Sequence, residues 1–175
     1  MRNRILLYEF ISFAVASTLG VLLHFVYGWS GDSNITAPFA AVSESVWEHL
    51  KLLYWPFLLT SLAGYFAIGK RIPNYFYYQA ISMSLGMAFF VIAFYTYSGI
   101  IGRSFTVVDF IIYYIGYIIS YRHSFYCLMV YSSRDSLNYY GGIIFMTYGI
   151  LLIFFTFFTP HLGIFLDPHT GLYGI

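Results

Sequence analysis

The sequence predicts an all-α, polytopic integral membrane bundle of about five transmembrane helices, and three observations carry that prediction. Charged residues make up 9% of the chain, against ~25% in soluble domains. Several apolar runs reach the ~18–20 residues that cross a bilayer as helix. Hydrophobic residues make up 60% of the 175 positions, and a domain of this size buries only ~70% of its surface. A soluble fold would leave much of that apolar surface in water.

The first span is expected over residues 5–27, behind Arg2 and Arg4. It is longer than a signal-peptide core of ~7–15 residues, so it reads as a retained helix. Glu9, Ser12, Ala16, Gly20 and His24 fall on one stripe, the small and polar face that packs on other helices. Residues 28–38 form a loop rich in Gly, Ser, Asp, Asn and Pro. Its Asn34-Ile35-Thr36 is a glycosylation sequon, a pattern common by chance.

The second span is expected over 45–69, with Pro56 inside it as a kink point. A basic turn, Lys70-Arg71-Ile72-Pro73, leads to the third span over 75–101, with Gln79, Ser82, Gly86, Ala93 and Tyr97 on one face. Gly102-Arg103-Ser104 turns into the fourth span, 105–131, whose inner stripe reads Asp109, Tyr113, Gly116 and Ser120. Ser132-Ser133-Arg134-Asp135 turns into the fifth, 137–159, with Gly142, Gly149 and Thr156 aligned before Pro160 stops it. Residues 160–175 form a tail too apolar for a disordered end, expected to fold back over the bundle mouth and bring Asp167 to the Ser45–Lys51 segment or His24.

Five spans place the termini on opposite sides. With the N-terminus in the cytoplasm, Arg2, Arg4, Lys70, Arg71, Arg122 and Arg134 are inside, and only Lys51 and Arg103 outside. That is the asymmetry of the positive-inside rule and predicts a multi-pass membrane protein with its N-terminus inside. A net charge of +1 gives no argument for nucleic acid. The single cysteine, Cys127, excludes an internal disulfide.

This topology gathers His24, Glu44, Glu48, His49, Lys51, Arg103, Asp109, His161, Asp167 and His169 at the outer face. Histidines beside carboxylates are the ligand types of zinc or a similar divalent metal. The expected ligands are His24, His49, Glu48 and Asp167, with Glu48 or Glu44 as the general base acting on metal-bound water. The spacing is not that of H-E-x-x-H zinc peptidases.

Plainer readings stand beside these. Ser45-Val46-Trp47-Glu48 matches a capping box, Asp109 suits a helix cap or a partner for Arg103, and Glu9 suits a partner for Arg122. Two function classes follow. One is a membrane-embedded, metal-dependent hydrolase of a lipid or other amphiphile. The other is a small transporter, channel subunit or accessory protein without catalysis, its polar stripes lining an ion path or simply packing.

Three motifs carry a resemblance. His24-Phe25-Val26-Tyr27-x-Trp29-Ser30-Gly31, then Glu44-Ser45-Val46-Trp47-Glu48-His49-Leu50-Lys51 with Trp55-Pro56, then Asp167-Pro168-x-Thr170-Gly171-x-Tyr173-Gly174-Ile175 together resemble a family of small prokaryotic integral membrane proteins classed as a domain of unknown function. The resemblance spans nearly the whole chain and implies a multi-pass protein of a prokaryotic plasma membrane but no activity. His169 departs from the apolar residue expected at its position in that tail.

Overall fold

The structure is a computed structural model, and residues 2–130 and 137–175 are described. Among them are five long helices: α1 (Arg2–Trp29), α2 (Val46–Ala67), α3 (Tyr75–Ile101), α4 (Thr106–Met129) and α5 (Asn138–Phe157). One-turn 3-10 segments lie at Gly69–Arg71 and Gly163–Phe165. The bounds of α3 coincide with the predicted ones, and the others differ by a few residues at most, the normal fraying of helix ends. The predicted turn at 132–135, with Arg134, lies outside the described residues.

Of the five, α1, α3 and α5 are long and apolar enough to cross a membrane. The chain is thus an all-helical bundle compatible with a membrane protein. Helices α2 and α4 have 22 and 24 residues, but α2 contains Glu48, His49 and Lys51 and α4 contains Asp109, Arg122 and five tyrosines, which lower their hydropathy. Large side chains such as Leu7, Phe10, Phe66, Ile92, Ile150 and Phe154 stand on the outside. Apolar exposure of that extent suits lipid rather than water.

Helix α2 touches all four others, most extensively α1 and α3, and α3 also packs on α4 and α5. Its centre explains how the bundle tolerates Pro56. A proline inside a helix has no N–H for the carbonyl four residues back, here that of Leu52. The Tyr117 hydroxyl on α4 donates to this oxygen at 2.7 Å and lies 3.2 Å from the Ala16 carbonyl of α1. One side chain therefore repairs the ladder and joins three helices. Tyr117→Phe is expected to leave the Leu52 oxygen unpaired in an apolar interior and to cost about 1–3 kcal/mol, read as a fall in unfolding free energy in mixed micelles.

Close approach of helices follows the small residues. A Cβ on Gly86 of α3 would lie 2.6 Å from the Gly116 carbonyl oxygen of α4, so that contact requires glycine. On α5 the glycine at the seam is Gly141, whose Cβ would enter the backbone of Phe76 and Tyr77, whereas Gly142 has open space. The predicted stripe thus shifts by one residue at its start. The ends of α3 and α5 are cross-capped: Asn74 Oδ1 accepts from Leu137 N, and Asn138 Oδ1 accepts from Phe76 N, each at 2.9 Å.

The tail is ordered. Phe165 is buried, with its ring centroid 4.8 Å from that of Trp47 and 5.4 Å from that of Phe155. Leu166 and Tyr173 form an antiparallel bridge, and Gly171 takes the left-handed conformation that closes the turn between them, φ +71°.

Candidate functional site

The site lies where the C-terminal end of α1, the N-terminal end of α2 and the start of α4 meet under the tail. Ser45 is the N-cap of α2, and its Oγ accepts the Glu48 N–H at 3.3 Å. The capping box is completed differently from expectation. Glu48 does not return to the Ser45 N–H but accepts from Val42 N at 3.0 Å and pairs with Lys51 Nζ at 2.5 Å. Lys51, wholly buried, also donates to Ala37 O at 2.7 Å and to Thr156 Oγ1 of α5 at 2.8 Å. Glu48 and Lys51 therefore tie the 37–42 loop and α5 to α2.

Glu44 precedes the helix, so it is free of the register that directs Glu48 towards Lys51. Its carboxylate lies between two imidazoles: Oε1 is 3.4 Å from His24 Nε2, and Oε2 is 3.5 Å from His49 Nε2. The two rings stand 5.3 Å apart, centroid to centroid. His49 follows Glu48 by one residue, about 100° round the helix, and that step turns it to the opposite side from Lys51.

His49 Nδ1 lies 2.8 Å from the Ser45 carbonyl oxygen. A carbonyl only accepts, so Nδ1 carries the hydrogen. In the neutral ring Nε2 then presents a lone pair to a carboxylate. Two acceptors facing each other need a cation between them, either a proton or a metal ion. A ring N–H held by a backbone carbonyl is also how metal-ligating histidines are oriented.

His24, Glu44 and His49 each offer a ligand atom, and the three atoms lie within 4.8 Å of one another. Zinc bonds of ~2.0–2.2 Å give tetrahedral edges of about 3.3–3.6 Å; each His–Glu separation falls in that range, but to a different oxygen of Glu44. The hydrogen bond from His24 holds the Glu44 carboxyl below the usual carboxylate range, and the charges of His49, His24 and His169 add to this against the opposing effect of burial. Glu44 is therefore ionised, as a ligand must be.

These residues border a cavity of about 70 Å³ with Val21, Leu52, Phe90 and Phe94 as its apolar wall and Asp109, Tyr113 and His169 at its polar edge. Asp109 accepts a hydrogen bond from the Tyr97 hydroxyl, which in turn accepts from Phe105 N at 3.1 Å. Arg103 does not pair with Asp109: its guanidinium stands over the Phe105 ring at 4.5 Å.

The sequence-predicted residues thus divide. His24, His49 and Glu44 come together. Glu48 is held by Lys51, Val42 and Thr156. Asp167 meets the backbone N–H of Glu44, one residue before the expected segment, at 3.3 Å, while its other oxygen accepts from His169 N at 2.8 Å and Thr170 N at 3.2 Å. Asp167 positions Glu44 through the backbone. Sequence reasoning placed Asp109 on the outer face but gave it no part in the site. Its i, i+4 relation to Tyr113, a second pocket residue, was the available signal.

Burial raises the Asp167 carboxyl, but the N–H groups of His169, Thr170 and Glu44 outweigh it and leave the group below its ordinary value. A depressed value means that its stabilisation is complete above the usual carboxylate range and is lost as pH falls below it. Asp167→Asn is expected to remove that acid-side loss and to release the tail, measured as faster proteolysis after Thr159 at neutral pH.

No curated protein and no solved structure matches this chain. Residues 3–175 match the model described as Family of unknown function (DUF6512), and the chain belongs to that family.

Proposed function

We propose that this is a multi-pass membrane protein whose pocket is a divalent-metal centre, zinc or a similar ion, of a hydrolase acting on a lipid or other amphiphile. The observation that carries the reading is the His24–Glu44–His49 group, with His49 oriented by the Ser45 carbonyl. Two imidazoles and one carboxylate form the ligand set of a catalytic rather than a structural zinc, because the fourth position stays open. A metal there would lower the pKa of a bound water towards neutrality. Asp109, across the pocket, is the assigned general base, and Tyr97 fixes its carboxyl. The apolar wall suits an acyl chain, and the polar edge suits a headgroup.

Five spans with the N-terminus in the cytoplasm of a prokaryote complete the proposal. The exposed Lys70–Arg71 turn supports it, because it lies at the end of α2 away from the pocket, and exposed Arg122 lies in the half of α4 away from the pocket. The transport reading is weaker. Ser82, Ser84, Ser98 and Ser120 donate to carbonyls of their own helices, so packing accounts for those polar residues.

The test uses the full chain purified in detergent. Stoichiometric zinc is expected after reconstitution and is expected to be lost in His24→Ala and in His49→Ala without loss of helical signal. Occupancy should fall on acidification, because protons compete for the same ligand atoms. Phospholipid hydrolysis in mixed micelles should stop with chelator, and in Asp109→Asn it should fall about 10²–10⁴-fold with zinc retained. Protein that takes up no zinc removes the metal centre, and zinc without turnover of any amphiphile removes the hydrolase.

A further inference from the structure

A second buried polar group lies at the other end of the bundle, about 22 Å along α1 from His24 at 1.5 Å per residue. Glu9 is nine-tenths buried between α1 and α4. Its Oε1 accepts from Ser124 Oγ at 2.8 Å, while Oε2 is buried without a hydrogen-bond partner. Among the described residues no cation pairs with it. The expected partner Arg122 is exposed, two residues before Ser124 on α4.

The surroundings contain hydroxyls and amides rather than charges. The Gln79 amide of α3 borders the carboxyl, and Gln79 also lies 3.5 Å from Ser61 Oγ of α2. The titratable groups that face Glu9 are Tyr8 on its own helix, Tyr75 on α3 and Tyr121 on α4. Tyr8 donates to Thr60 O, Tyr75 to Ser61 O at 3.0 Å, and Tyr121 shares a 2.7 Å hydrogen bond with Thr60. None supplies a positive charge.

A carboxylate in such a place has lost its water and gained only the neutral donors Ser124 and Gln79 in return. Membrane-buried ionisable groups with this character bind ions or protons. We propose that Glu9 is a proton-binding site of the bundle, carrying a proton at neutral pH. The site is independent of the pocket reading, since it shares no residue with it.

The test is pH-difference infrared spectroscopy on the full chain in phosphatidylcholine proteoliposomes. The expected result is a carbonyl-stretch band of a protonated carboxylic acid at neutral pH, with a component lost in Glu9→Gln. Ser124→Ala keeps the carboxyl but removes its donor, so it should move the same component to higher wavenumber. A neutral-pH spectrum without the band, or one from which Glu9→Gln removes no component, overturns the proposal. A Ser124→Ala band at the wild-type position does so as well.

Discussion

Lys51→Met is expected to destabilise the bundle by about 3–5 kcal/mol, because it strips the counter-charge from a buried carboxylate. Lys51 has no exposed surface, and Glu48 has almost none. Their 2.5 Å contact is supported by Ala37 O, Val42 N and Thr156 Oγ1. Without the lysine, Glu48 must either hold a charge that water cannot reach or take up a proton, and either outcome costs stability. The pair itself is worth much less than this figure, since burying both ions also cost desolvation. The double variant Glu48→Gln, Lys51→Met should therefore recover most of the loss. Denaturant unfolding in mixed micelles reads both effects. A single-variant loss below about 1 kcal/mol would place the pair among solvent-screened surface bridges.

Gly141→Leu is expected to cost about 3 kcal/mol or more, at the upper end of overpacking penalties. The added atoms would occupy the space of the α3 backbone at Phe76 and Tyr77, and backbone cannot rotate aside as a side chain does. Helix α5 would have to move away from α3 and give up the reciprocal Asn74 and Asn138 caps. One residue along, a Cβ on Gly142 would meet nothing within 4 Å, so Gly142→Leu should stay within about 0.5 kcal/mol of wild type. Equal effects at the two positions would contradict the described α3–α5 seam.

That contrast shows where the sequence is informative and where it stops. Helix number and order are legible because long apolar runs separated by Gly, Pro and charged turns permit little else. Which of two adjacent glycines faces a neighbour depends on helix rotation to within about 100°, and a short stripe such as Gly142, Gly149 and Thr156 does not fix it. The site was legible as a gathering of residue types at one face. Its membership was not, because Glu44 lies outside the helix and escapes the register that groups it with Glu48 and Lys51. Nor does sequence spacing distinguish a carboxylate that meets a buried lysine from one that meets two imidazoles. The Asp109–Tyr97 pair joins two helices across a short turn, a contact that helical periodicity within either span does not report.

X-ray absorption at the zinc edge of the reconstituted full chain tests the proposed metal centre most directly. The proposed centre would bind zinc with a first shell of two imidazole nitrogens from His24 and His49, carboxylate oxygen from Glu44 and an exchangeable water, at ~2.0–2.2 Å. One imidazole should be lost from that shell in His49→Ala, with the shell unchanged in Glu48→Gln. A shell without imidazole, or one that changes in Glu48→Gln and not in His49→Ala, would contradict the assignment of the ion to this pocket.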